Sequence, residues 1–386
     1  MRIIFYILGC IILHGCGGLA LDDGSNESIP NYSLTSTTSE VSPTMLSDII
    51  AIDDNTLILA TERTDSIIQL IQFDQDFTNE NWTINQTDLL ELGTGKLLFF
   101  QSIGENYLIG YRGFDGSMNI QLIDENLNPT IKKGDFEVYI DTSYNDIDSL
   151  ILLNASFVKE SSDILLSGSV YTQGTSFSCL LKVNSSLEPL WIKTYFEHSE
   201  IQNVLSINRD SFLLLNANDE GTDLIRDNYN SQAYTKYDLS NDDLFLGSQP
   251  FIQSEKIYLT GIQNEIGRTI EVNLENNTSF INDIEIYPVV DLQAVYLSRN
   301  NFVMTGIQSR QFGDVQFTSE LSSMGSMWCH RYTDEQYLKT LDIIEMPGKG
   351  VVVSSIVSID SKYYIHITRI DEEGATFVNE YTENCI

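Results

Sequence analysis

Residues 179–195 read CLLKVNSSLEPLWIKTY. An apolar run ends in a polar turn, and a tryptophan opens the run that follows. This is the signature of two short strands joined by an Asn/Ser turn. FTSELSSMGSMWCHRY (317–332) has the same shape, and IQLIDENLNPTIKK (120–133) has it with Ile131 in the Trp place. Four more stretches complete the set: LIQFDQDFTNENWTI (70–84), YTKYDLSNDDLFLG (234–247), IEVNLENNTSFIND (270–283) and IHITRIDEEGATFVNEY (365–381). Their turns open at Asp74, Asp124, Asn184, Asp238, Asn273, Leu321 and Asp371, about 50 residues apart on average.

A second element precedes each copy: a polar turn, then an apolar strand that often closes on a small residue. The instances are DDNTLILAT (53–61), GENYLIGY (104–111), SSDILLSG (161–168), NRDSFLLLN (208–216), SEKIYLTG (254–261), RNNFVMTG (299–306) and GKGVVVSS (348–355). One more short apolar run lies ahead of each turn, such as Asp48-Ile49-Ile50-Ala51-Ile52 or Ala294-Val295-Tyr296-Leu297. No long segment of 3.6-residue periodicity follows residue 20. Each unit is thus about four strands, and there are seven units. One such sheet cannot bury both faces alone, whereas a ring of sheets can. The expected fold is all-β, a seven-bladed β-propeller of four-stranded blades over residues 45–386. Two β-sandwiches would not repeat both signals seven times in one order.

The layout resembles kelch-like propellers: a second strand ending near glycine, a third ending in an Asp-type turn, then Trp on the fourth. It is similar also to the degenerate propeller repeats of bacterial surface lipoproteins. The kelch double glycine is absent, leaving Gly110, Gly168, Gly261 and Gly306, and Trp stands in three units, as Trp82, Trp191 and Trp328. The resemblance implies a fold and a binding or scaffold role, not a reaction. The repeat gives the three tryptophans a structural role, packing between blades.

Composition narrows the partners. Asp and Glu number 55 against 21 Lys and Arg, a net charge of −34. That field repels phosphate backbones, which argues against nucleic acid, and it repels an anionic bilayer surface too. Hydrophobic residues make up 42% of the chain, enough for a large core.

The chain opens MRIIFYILGCIILHGCGG. The apolar run from Ile3 to Leu13 is about half the ~20 residues a membrane span needs, so it reads as the core of a signal peptide. Leu13-His14-Gly15-Cys16 resembles a bacterial lipobox, with His14 departing from the usual small residue. The expectation is a lipoprotein signal peptide over 1–15 and lipidation at Cys16. Gly17-Gly18 and Asp22-Asp23 resemble the segment that follows the lipidated cysteine in surface-exported lipoproteins of the Bacteroidota. The resemblance implies a place in a bacterial envelope, on the outer membrane, facing periplasm or surface, and touching the bilayer through lipid only. Residues 16–44 then form a Ser/Thr-rich flexible tether. SLTSTTSEVSP is polar on both faces and ends at Pro43, so no strand from it is expected in the ring. Blades one and seven should close face to face, and the protein should be a monomer or part of an envelope complex.

Chemistry-bearing residues are sparse. His198, His330 and His366 fall in three different units without metal-type spacing. Asp74, Asp76 and Glu80 alternate as in a calcium loop, but an Asp/Asn turn needs no metal, so Ca2+ is the minor reading and no cofactor is expected. Cys179, Cys329 and Cys385 are odd in number, which leaves at least one unpaired within a chain. The longest spacing between turns holds DFEVYIDTSYNDIDSL (135–150), with Tyr139, Asp141, Tyr144, Asp146 and Asp148. Rigid blades make such loops the natural carriers of function, so this is the candidate binding loop. The functional expectation is a non-catalytic binding or scaffold module for protein or glycan. The alternative is a polysaccharide-degrading enzyme with its site at the mouth of the ring.

Overall fold

A computed structural model of the chain describes residues 33–35, 48–53, 55–78, 81–133, 148–218, 221–230, 233–237, 245–246, 251–253, 255–276, 278–283, 288–297, 301–309, 315–322, 325–332, 336–346, 350–359 and 362–370. These residues form 29 strands and no helix. The first strand, β1 (Ser33–Thr35), pairs with none of the strands that directly follow it. The first blade is β2 (Asp48–Ala51), β3 (Thr56–Glu62), β4 (Ile67–Thr78) and β5 (Asn81–Thr94). The second is β6 (Lys96–Ile103), β7 (Asn106–Arg112), β8 (Met118–Ile123) and β9 (Pro129–Lys133). The third is β10 (Ser149–Val158), β11 (Asp163–Thr172), β12 (Thr175–Val183) and β13 (Pro189–Glu197). The fourth is β14 (Glu200–Ser206), β15 (Ser211–Asn218), β16 (Gly221–Asn228) and β17 (Thr235–Tyr237). In the fifth, the inner strand comes in two pieces, β18 (Phe245–Leu246) and β19 (Phe251–Gln253), both paired with β20 (Lys256–Gln263). Then come β21 (Ile266–Asn273) and β22 (Thr278–Asp283). The sixth is β23 (Val289–Tyr296), β24 (Phe302–Gln308), β25 (Val315–Ser322) and β26 (Gly325–Tyr332). The seventh is β27 (Gln336–Met346), β28 (Gly350–Ile359) and β29 (Lys362–Ile370), with β1 as its fourth strand.

Every blade is an antiparallel meander, and the first strands of successive blades lie against one another around the axis of the ring, except beside blade five, where β18 meets β16 and β23 meets β20. Seven separate apolar clusters fill the seven gaps between blades. The largest joins blades two and three through Phe99, Leu108, Leu152, Leu166 and Leu181. The cluster that closes the ring sets Ile49, Leu57, Leu59, Ile71 and Phe73 of blade one against Met346, Val352, Ile356, Ile365 and Ile367 of blade seven. Face-to-face closure is therefore present. The expectation that the tether stays out of the ring is overturned. Ser33, Leu34 and Thr35 pair antiparallel with Thr368, Ile367 and His366, so β1 clasps the last blade. Edge pairing runs through backbone N–H and C=O, which is why a Ser-Leu-Thr stretch without hydrophobic alternation can supply it. The strand expected near Tyr381 lies outside the described residues, as do residues 371–386.

Two turns show how the repeat works locally. Asp124 Oδ1 accepts from the N–H groups of Asn126 (3.0 Å) and Asn128 (2.8 Å), and Asn184 Oδ1 accepts from Ser186 and Glu188 (2.9 Å each). Leu127 and Leu187, three residues on, take φ of +57° and +58°. A leucine rarely adopts that backbone. Here its side chain is buried under the turn, at 4% and 1% exposure, which offsets the strain.

The repeat phase departs from expectation in two blades. The blade-one hairpin runs past Asp74, which pairs with Asn85 inside it, and turns between Thr78 and Asn81. Trp82 therefore sits nearer its turn than Trp191 and Trp328 do. Those two, and Ile131, each directly follow a one-residue register shift at the start of a fourth strand. In blade four the third strand is β16, and the run expected as third strand, at 234–238, holds the fourth, β17. GTDLIRDN gives no third-strand signal because it carries Asp223, Arg226 and Asp227. Tyr237, buried at 3% in the cluster between blades four and five, gives the fourth strand the look of a core third strand.

Candidate functional site

Strand alternation gives the ring two unlike ends. One carries the hairpins between first and second and between third and fourth strands. The other carries the second-to-third hairpins and the connections between blades. Second strands enter the ring apolar and turn polar toward this connection end. Leu57-Ile58-Leu59-Ala60 is followed by Thr61 and Glu62, Leu213-Leu214-Leu215 by Asn216, and Val303-Met304 by Thr305, all buried. The interfaces between blades are thus oily at one end and polar at the other.

The inner strands bulge in the same region. Register shifts fall at Leu97/Phe99, Leu152/Asn154, Ile201/Asn203, Val289/Asp291 and Thr340/Asp342. A bulge bends a strand and re-aims its side chains. Glycine opposite it lets the backbones close in: a Cβ at Gly168 would run into the Ile151 carbonyl, and one at Gly306 into the Asp291 carbonyl. Side chains reach across to the next blade from the bulges at Asp291 and Asp342, from the end of the second strand at Glu62, and, at the opposite end of the ring, from Ser156 near the end of β10. Glu62 Oε2 accepts from Leu97 N–H (3.3 Å), Ser156 Oγ from Ser206 N–H (3.1 Å), Asp291 Oδ2 from Thr340 N–H (2.6 Å) and Asp342 Oδ2 from Ile49 N–H (3.2 Å). The other carboxylate oxygens of Asp291 and Asp342 accept from the next residue of their own strand, Leu292 N–H (3.0 Å) and Ile343 N–H (2.8 Å). Burial pushes the carboxyls of Glu62 and Asp291 above their ordinary range, against the pull of these backbone donors and of Lys96 and Lys339.

Blades three and four meet through a second kind of contact at their outer strands. Asp227 Oδ2, with no side-chain exposure, accepts from Lys193 Nζ (2.6 Å) and Tyr195 Oη (2.7 Å). Burial, then the bond to Asp227, drives the Tyr195 phenol far above its ordinary pKa. Two residues along the strand, the Trp191 ring stacks on Tyr229 at 4.8 Å and tilts against Phe212 at 6.1 Å. Phe196 meets Tyr234 edge-on at 5.5 Å. Tyr229 and Tyr234 are exposed on this rim.

The residues singled out in the sequence fall as follows. Asp148 is exposed at the entry to β10, and its N–H donates to the Tyr171 carbonyl (2.8 Å). Tyr139, Asp141, Tyr144 and Asp146 lie outside the described residues, as does Cys16. So do the side chains of Trp82 and Trp328, whose backbones lie in β5 and β26. His366 is buried in β29, His330 lies in β26, and His198 is an exposed turn residue with φ of +52°. Cys179 is a fully buried free thiol, its pKa pushed up to about 12 by desolvation. Among the described residues no three His, Cys, Asp or Glu side chains gather as a metal site. Sequence reasoning missed Glu62, Asp291 and Asp342. A signal was available: Asp48-Ile49-Ile50 and Asp342-Ile343-Ile344 set the same acid ahead of the same inner strand.

No protein-family model matches the chain, and no curated protein matches its sequence. Solved structures do match its fold. A mutant of the Synechocystis apocarotenoid oxygenase aligns at TM-score 0.50 and 9% identity, over 86% of this chain and 94% of that one. The Dos1 propeller aligns at TM-score 0.49 and 8% identity, over 87% and 95%. A protein of unknown function from Bacteroides caccae aligns at 0.42 and 10%, over 75% and 94%. At such identities the likeness is one of fold, and the fold is a seven-bladed β-propeller in which side-chain acceptors join four of the seven pairs of neighbouring blades among the described residues.

Proposed function

We propose that the chain is an exported, lipid-anchored propeller that works as a non-catalytic binding or scaffold module for a protein or glycan. One observation carries this reading. Buried Glu62 and half-buried Ser156, Asp291 and Asp342 each hold a backbone N–H of the neighbouring blade. Groups committed in that way act as bolts rather than as an acid–base pair. Recognition then falls to the connection-end loops, and among them to Tyr139, Asp141, Tyr144, Asp146 and Asp148 between blades two and three. Tyrosines with interspersed carboxylates suit a hydroxyl-rich or basic partner. Trp82, Trp191 and Trp328 keep the structural role, and the signal peptide over 1–15 with lipidation at Cys16 supplies the anchor. The tether would then run from Cys16 to the clasp at Ser33.

Two measurements test the reading. Cys16→Ala should move the protein out of the membrane fraction and end palmitate labelling; labelling that persists contradicts the anchor. The purified chain, presented with a panel of immobilised glycans and envelope proteins, should retain a partner intact, and Tyr139→Ala with Tyr144→Ala should abolish retention. Release of new reducing ends from the glycans would instead favour polysaccharide breakdown.

A further inference from the structure

The interface of blades three and four holds an unusual set of buried polar atoms. Asn154 Oδ1, Ser167 Oγ, and both Oδ1 and Nδ2 of Asn216 have no hydrogen-bond partner in the protein. The three residues are 8%, 0% and 1% exposed. They share one face-to-face gap. Asn154 and Ser167 are cross-strand partners in blade three, and Ser167 lies two residues from Leu165 of the apolar cluster in that gap. Asn216 belongs to blade four, two residues from Leu214 and cross-strand from Ile201, both in the same cluster. All three lie on the connection-end side of that cluster, where Ser178 and Ser199 bond to each other at 3.2 Å.

The position of Asn216 sharpens the case. Four or five residues into the second strand, the other six blades carry Thr61, Gly110, Gly168, Gly261, Gly306 and Ser355. Only blade four places an amide there. A buried amide without partners is destabilising, so four orphan atoms in one gap need a ligand. Its chemistry follows from the orphans. Asn216 Nδ2 can only donate, the two Oδ1 atoms can only accept, and Ser167 Oγ can do either. A cation would satisfy the acceptors and face the amide hydrogens; an anion would do the reverse. A small neutral molecule that donates and accepts together satisfies all four.

We infer that ordered water occupies the gap between blades three and four, in a site built by Asn154, Ser167 and Asn216. About one or two molecules suffice, since a buried water makes about three hydrogen bonds. The water bridges the two blades and takes the part that a side-chain acceptor plays in three other gaps of the ring, through Glu62, Asp291 and Asp342.

A crystal structure of the full chain at about 1.5 Å resolution tests this. The expected result is a density peak 2.7–3.2 Å from Asn216 Nδ2 and from an oxygen of Asn154 or Ser167. An Asn216 amide bonded to protein groups alone, or an empty gap, overturns the inference. Two variants test it by sign. Asn216→Leu removes two orphan atoms. It lowers the melting temperature by a few degrees if it displaces bridging water, and raises it if the gap is dry. Asn216→Ser leaves room for another water and stays near the wild-type value; a drop as large as that of Asn216→Leu, with no water in the wild-type crystal, also overturns the inference.

Discussion

Asp291→Ala removes the most tightly made bolt between two blades. Its carboxylate holds Thr340 N–H across the gap at 2.6 Å and Leu292 N–H at 3.0 Å. Thr340 has no exposure, so its N–H is left in a dry gap without an acceptor. An orphaned buried donor costs about 1–3 kcal/mol and the second bond adds about 0.5–1.5 kcal/mol. Removing a carboxylate that burial disfavours offsets part of this, so the net loss near neutral pH should be about 1–3 kcal/mol. The pH dependence has a definite sign. The folded-state pKa of Asp291 is raised. The stability this shift contributes is fully present below the unfolded value of about 3.9, and it is lost as pH rises through the folded pKa. The gap between wild type and Asp291→Ala should therefore be widest near pH 4 and narrow as pH rises. Urea midpoints by tryptophan fluorescence at several pH values measure it. An unchanged midpoint, or a gap that widens with pH, would refute the reasoning.

Other consequences are open to measurement. Gly168→Val should cost more than about 2 kcal/mol, because its Cβ meets the Ile151 backbone, which cannot step aside as a side chain could; a wild-type midpoint would mean that the bulge is soft. Cys179 should resist maleimides in the folded protein and react at once in denaturant, since only the thiolate attacks; rapid native labelling would show that blade three opens. Trp191→Ala should cost about 2–4 kcal/mol, because its ring is clamped by Tyr229 and Phe212 though not wholly buried; no loss of stability would free Trp191 for binding.

Much of the ring could be read from the chain because its turns are chemical. Asp124 and Asn184 build their turns with their own side chains, and the strands that lead into them are short, largely buried runs. In blades one and four the phase slips. An acid inside the long blade-one hairpin, Asp74, reads as its turn, and β16, with charge on both faces, gives no strand signal. The clasp left no trace in hydrophobic pattern because β1 contributes backbone hydrogen bonds on the edge of a sheet. The bolts were hidden for another reason. An aspartate ahead of an apolar run reads as a turn residue, and only the inner-strand bulge turns Asp291 and Asp342 toward the next blade.

The central claim is a ring of seven blades clasped by a strand from the N-terminal segment. Its most direct test is a disulfide between register partners. Ser33 and Thr368 stand opposite each other in β1 and β29. Antiparallel partners lie about 4.5–5.5 Å apart at Cα, within reach of a disulfide. Ser33→Cys with Thr368→Cys, oxidised and mapped by peptide mass spectrometry, should give the cross-linked pair in nearly all molecules. Ser33→Cys with Tyr364→Cys, four residues along the same strand, should give none. Absence of the first cross-link, or equal yield from both pairs, would contradict the clasp and the closure built on it.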